Sequence, residues 1–296
     1  MIIDVRCRYT ADDSAIYFSD RMAHVGRLDR IPALNQRSAD AFFAEIEGAG
    51  ITTAVSVSGC NPGARLGRYD LPARTTSNDA LGLVQQAHPG RFLAVAGIDA
   101  SSQFHDALQE IERCADQWAM RAIALEPGRA PGCVPSDRRL YPIYELCQSL
   151  NLALILQTSG VLGGQYVSYA DPHHVEVIAE DFPRLRVICG HGCYPFVREA
   201  IVMAARRDNV WLSPDGYFFH LGHEDWVRAI RLNLGGFTEK FLFGSAYPLT
   251  PIAPFVENFR KVGWDDEVLR KLFYRNALTA LDLERDPVFR AQYGLV

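Results

Sequence analysis

Little in this sequence suits a membrane, a nucleic acid or an oxidising compartment. No apolar run reaches the roughly 18 residues that a bilayer span requires. Thirty Lys and Arg are outnumbered by 35 Asp and Glu, and they do not gather into runs. The basic footprint of a nucleic-acid binder is therefore missing. The seven cysteines are odd in number and form no CxxC pair. They read as reduced thiols in or near a core, which points to a reducing, cytoplasmic setting. The start, Met1-Ile2-Ile3-Asp4, carries no basic segment followed by a long apolar one, so no secretory leader is expected. Glycine spacing matches neither dinucleotide nor phosphate loops, and no GxSxG nucleophile elbow occurs.

What is present is a regular alternation. Eight short apolar runs recur: Ile2–Val5, Thr53–Val57, Phe92–Ile98, Ala122–Leu125, Ala153–Leu156, Leu185–Cys189, Val210–Leu212 and Phe241–Phe243. Stretches with a 3.6-residue period separate most of them. In Leu140–Leu150, for example, Ile143, Leu146, Cys147 and Leu150 share one helical face. Continuous apolar strands alternating with helices predict a parallel sheet. Eight evenly spaced units predict its closure as a (β/α)8 TIM barrel, with residues 1–296 forming one domain. An open doubly wound sheet is the alternative. Two long segments, Tyr9 to Asn35 and Gly59 to Thr76, follow the first and second runs. They fall at the strand C-termini, where barrels of this kind build active sites, so they are candidate lids.

Four segments carry chemistry. They are Ile3-Asp4-Val5-Arg6-Cys7-Arg8, Leu156-Gln157-Thr158-Ser159-Gly160, Cys189-Gly190-His191-Gly192 and Phe243-Gly244-Ser245-Ala246-Tyr247-Pro248. In this order and spacing they resemble the amidohydrolase superfamily, in the branch that includes aminocarboxymuconate-semialdehyde decarboxylase. The stretches Asp181–Leu185, Tyr194-Pro195-Phe196 and Tyr274–Leu278 extend the resemblance, which runs from Ile2 to about Leu283. It implies a TIM barrel, commonly dimeric, and hydrolysis, decarboxylation or hydration of small acids. The family's pattern has His-x-His where Arg6 and Arg8 stand, His at Gln157 and Asp at Ala246. Only His191 remains of that set. A guanidinium stays protonated and repels a metal ion, and alanine has no donor. The expectation is therefore no metal and no cofactor. A relocated site using Cys7 with His191 is the alternative, although Cys7 should point away from the lumen.

On this reading Arg6 and Arg8 share a face with Asp4 and look into the barrel mouth. Two arginines there repel unless anions lie between them. Glu126 or Asp215 is expected to supply one negative charge, and a substrate carboxylate or phosphate another. His191, set between glycines, is the candidate base, kept neutral by the nearby arginines. Asp215 is expected to orient it. Gln157 and Tyr247 are candidate ligand contacts. The adjacent His173 and His174 follow Asp171-Pro172, a helix-start signal, and read as surface residues. The expected activity is metal-independent hydrolysis of a small carboxylated lactone or ester, with decarboxylation second. A catalytically inactive chain binding a small anion or a partner subunit is the rival. Expected partners are a small carboxylated molecule and a second copy of the chain, with neither nucleic acid nor membrane.

Overall fold

The computed structural model describes residues 1–12, 15–57, 59–75, 77–101 and 104–295. Seven strands form one parallel sheet. They are β1 (Ile3–Cys7), β2 (Thr53–Val57), β5 (Phe92–Ile98), β6 (Ala122–Leu125), β7 (Ala153–Gln157), β8 (Val187–Gly190) and β9 (Val210–Ser213). The remaining two, β3 (Ala64–Leu66) and β4 (Tyr69–Leu71), make a separate antiparallel hairpin. The eighth apolar run closes the ring without forming a ladder of its own. Leu212 bridges Phe241 in parallel, the Leu242 amide donates to Leu212 at 2.9 Å, and the Val5 amide donates to the Phe243 carbonyl at 3.1 Å. The predicted barrel is thus present, with its last stave reduced to a bridge.

Every residue of the seven barrel strands is buried. This explains why they read as continuous apolar runs rather than alternating ones, since both faces of a parallel sheet are covered. The helices that pack around it or cap it include α1 (Ala15–His24), α2 (Pro32–Gln36), α3 (Ala39–Gly48), α4 (Asn78–Ala87), α5 (Phe104–Trp118), α6 (Tyr141–Ser149), α7 (Pro172–Asp181), α8 (Val197–Arg206), α9 (His223–Arg231), α10 (Ile252–Lys261), α11 (Asp266–Arg270), α12 (Asn276–Ala280) and α13 (Pro287–Tyr293). Shorter helical turns complete the C-terminal part. In α6 the buried residues are Ile143, Tyr144 and Cys147, whereas Leu150 falls just past the helix and is 39% exposed. The expected start of α7 is observed, because Asp171 caps it by accepting from the His173 amide at 2.9 Å.

Both long segments after strands carry regular elements. The first carries α1 and α2, with Asp13 and Ser14 outside the described residues, and the second carries the β3–β4 hairpin, with Thr76, at its end, also outside them. Each was expected as a loop. Short polar hairpin strands such as Ala64–Leu66 carry no alternation long enough to read. Among the described residues no helix is long and apolar enough to cross a membrane.

Candidate active site

Three strand ends build the centre of the barrel mouth. β1 brings Arg6, the end of β8 brings His191, and the turn after β9 brings Asp215. The Arg6 Nε donates to Asp215 Oδ2 at 3.2 Å, and an Arg6 Nη2 hydrogen points at His191 Nε2 at 3.0 Å. His191 Nδ1 meets Asp215 Oδ1 at 2.8 Å, and the His191 amide donates to Asp215 Oδ2 at 3.1 Å. A guanidinium has no lone pair to offer, so Nε2 must be the acceptor and Nδ1 the donor. This fixes the tautomer and leaves His191 neutral. Burial lowers its pKa first, Arg6 adds to that, and together they outweigh the pull of Asp215, bringing it down from 6.5 to about 4. Asp215 is resisted by burial yet held below the ordinary carboxyl range by His191 and Arg6.

The backbone is bent to make this triad. His191 (φ 70°), Asp215 (φ 47°) and Ala246 (φ 59°) all take left-handed conformations. Such a conformation costs a non-glycine residue on the order of 1 kcal/mol, and such residues cluster at functional sites. Gly190 supplies the space, since a Cβ there would come within 2.6 Å of the Arg6 guanidinium carbon. Asp4 props β1 from beneath. It accepts from the amides of Arg6 at 3.1 Å and Ser245 at 3.0 Å, and from the Ser245 hydroxyl at 2.5 Å. Burial raises its pKa to about 6, against those hydrogen bonds.

A second cluster lies beside the first. Glu126, after β6, is bound by Arg74, by Arg129 at 3.2 Å and by Asn61 Nδ2 at 2.5 Å. Burial resists its ionisation, but the two arginines bring its pKa down to about 2. Arg6 therefore pairs with Asp215, while Glu126 belongs to arginines on other elements. Arg74 and Arg129 were not found by sequence reasoning. For Arg74 a signal was its place in the long segment after the second run; Arg129 follows β6, outside both long segments.

Between the clusters opens a cavity of about 340 Å³. Arg8, Gln157, His191 and Asp215 line it, as do Arg74, Arg129, Tyr217 and His220. Helix α1 covers one side with Tyr17, Phe18 and Arg21. Arg8 is 4% exposed, and its Nε and Nη1 are buried with no acceptor among the described residues. The Phe18 ring lies 5.4 Å from its guanidinium carbon, and Asp215 and Glu126 act on its charge without forming an ion pair with it among the described residues. Burial, then Arg6 and Arg74, lower its pKa to about 9, which still leaves it charged at neutral pH. The Gln157 Oε1 is likewise buried without a donor. The predicted contact Tyr247 lies elsewhere. It is fully buried and outside the cavity lining, with burial and Glu45 raising its phenol. Glu126 also lies behind the lining rather than on it.

These residues do not fit a catalytic metal. The Nε2 of His191 already accepts from a cation, and Cys7 turns away, its thiol directed to the Val55 carbonyl at 3.3 Å. Among the described residues no three His, Cys, Asp or Glu side chains gather so as to hold an ion.

A closed parallel barrel with its polar residues at the strand C-termini defines a class. The chain belongs to the amidohydrolase family, whose model matches residues 3–283. No curated protein sequence matches it. An uncharacterized TIM-barrel protein from Bordetella bronchiseptica is 30% identical over 95% of this chain and 98% of that one, with a TM-score of 0.80. The 4-oxalomesaconate hydratase of Rhodopseudomonas palustris superposes with a TM-score of 0.67 at 17% identity, covering 100% of this chain and 99% of that one. A dihydroxybenzoic acid decarboxylase from a Polaromonas species, described with bound manganese, gives 0.71 at 16% identity, covering 97% and 98%. The last two likenesses show the barrel alone.

Proposed function

We propose that this chain is a metal-independent member of its family that acts on a small carboxylated molecule, with hydrolysis of a lactone or ester as the reaction. The observation that carries the reading is Arg8. A buried guanidinium with two unused donors costs several kcal/mol unless an anion satisfies it. Arg8 lines the cavity, so a ligand carboxylate can reach it. The two-pronged fork of arginine suits that group.

The chemistry then falls to the triad. Arg6 caps His191 Nε2 at 3.0 Å in the free site. When a carbonyl oxygen enters, Arg6 turns to it and Nε2 is freed. Water adds to the carbonyl carbon as its proton passes to Nε2, the oxyanion is held by Arg6, and the acyl–oxygen bond breaks with that proton returned to the leaving oxygen. Asp215 holds the imidazole in place throughout. Preorganised charge of this kind contributes about 3–4 kcal/mol to a transition state, and a positioned base roughly 10²–10⁴-fold.

The same cap on Nε2, together with a pKa lowered to about 4, favours a second reading: a binding protein for a small anion. Hydrolysis of 4-acetoxybenzoate by protein treated with a chelator separates the two. Turnover that survives chelation, disappears in His191→Gln and falls at least tenfold in Arg8→Gln is expected. Turnover unchanged in His191→Gln would sink the enzymatic reading and leave the binding one.

A further inference from the structure

The cavity holds more positive charge than one carboxylate can satisfy. Among the described residues the single carboxylate on its wall is Asp215, already committed to Arg6 and His191. Glu126, behind the wall, is committed to Arg74 and Arg129. Three cavity-lining arginines remain with no ion-paired carboxylate among the described residues: Arg8, Arg21 on the cover helix α1, and Arg27 just past it. Arg27 is exposed to solvent, whereas Arg8 is buried and Arg21 half-buried, so these two are the ones whose charge bears on a ligand.

Arg21 is placed to act on a ligand rather than on solvent. It is only partly exposed and lines the cavity. Its charge reaches Arg129, whose pKa falls through burial and the cations around it, and Tyr217, which also lines the cavity. Helix α1 is itself tied to the arginine floor. Phe18 lies over Arg8 at 5.4 Å and Tyr17 over Arg74 at 5.7 Å. Such ring–cation contacts fix the helix above the floor, so Arg8 and Arg21 face one space from below and above. Flat side chains flank it, with Tyr217 stacked on Tyr194 at 4.7 Å.

We infer that Arg21 forms a second anion-binding subsite, so that the site selects dianions whose two acidic groups are separated by a flat body. The inference rests on the anion reading of Arg8 given above. Arg21 is then a specificity-determining residue, not part of the bond-making step. A monoanion satisfies Arg8 alone and leaves Arg21 facing an excess of like charge.

Calorimetry on the full chain, with benzoate and isophthalate as probes at fixed ionic strength, tests it. The two differ by one carboxylate. Isophthalate is expected to bind at least roughly tenfold tighter, the effect of one charge-assisted pair. Arg21→Gln should erase that ratio while leaving benzoate binding unchanged, and Arg21→Lys should restore part of it. A ratio near one in the wild type, or one that survives in Arg21→Gln, overturns the second subsite. The Arg8 reading still stands in that case if Arg8→Gln abolishes benzoate binding. Should neither probe bind, both fall together.

Discussion

Arg6, on β1, and Arg8, just past its end, stand two residues apart, are about equally buried, and have opposite fates. Arg6 is 3% exposed and fully engaged, with Asp215 at 3.2 Å and His191 at 3.0 Å. Arg8 is 4% exposed and leaves two donors without an acceptor among the described residues. One side of the barrel mouth is thus a finished network and the other an unfinished one. A finished network of buried charge specifies geometry. An unfinished one stores a desolvation cost that only an added anion relieves. The difference separates the part of the site that holds itself together from the part that awaits a ligand.

The largest effect should come from breaking the finished side. Arg6→Gln strands a buried carboxylate, a defect worth about 3–5 kcal/mol. Urea unfolding of the ligand-free protein should show that loss. Arg8→Gln should do the reverse and raise the unfolding midpoint, because it removes a buried charge with no ion-paired carboxylate among the described residues. Equal destabilisation by both variants would erase the distinction between the two sides.

A smaller effect is expected from pH, where two groups around Arg6 oppose each other. His191 has its folded pKa depressed from 6.5 to about 4, so its contribution is present above 6.5 and is lost as pH falls to 4. Asp4 has its folded pKa raised from 3.8 to about 6, so its contribution is present below 3.8 and is lost as pH rises through 6. The windows overlap and the signs are opposite. Their combined contribution should vary little between pH 4 and 6. Asp4→Asn should uncover a stability that climbs with pH over that range, and His191→Gln one that declines. Denaturant midpoints at four pH values would show whether the slopes part in these directions. Parallel slopes would mean that the triad is protonated otherwise than its geometry requires.

The barrel was legible because both faces of a parallel sheet are buried, so seven staves announce themselves as apolar runs. The eighth was legible as a run but not as a bridge, since Phe241–Phe243 is apolar whether or not it forms a ladder. In the site, the join between Asp215 and His191 could be expected from their places after successive strands. The choice of Asp215 over Glu126 as the partner of Arg6 could not. It depends on Arg74 and Arg129 claiming Glu126, and those reach it from segments with no periodic signal. Gly59 gives room for that pair, since a Cβ there would lie 2.0 Å from Arg74 Nη2, but a lone glycine in a loop does not reveal what it accommodates. Tyr247 shows the opposite failure. Its neighbour Ala246 lines the cavity while the Tyr247 ring turns into the core, a consequence of the left-handed turn at Ala246 that no sequence period encodes.

The smallest expected effect distinguishes an unfinished charge from an unfinished dipole. Gln157, like Arg8, lines the cavity with a buried group unused, the Oε1 carbonyl. An amide carries no net charge, so its unmet acceptor costs only about 1–3 kcal/mol and its contact with a ligand is worth about 1 kcal/mol. Gln157→Met keeps the length and removes both donor and acceptor. It should therefore leave the ligand-free protein no less stable, with carboxylate affinity down only about fivefold, far less than the loss in Arg8→Gln. Calorimetry with isophthalate on the two variants compares them directly. If Gln157→Met matched Arg8→Gln in lost affinity, recognition would rest on directed hydrogen bonds rather than on the unpaired charge, and the contrast between Arg6 and Arg8 would no longer explain what the cavity binds.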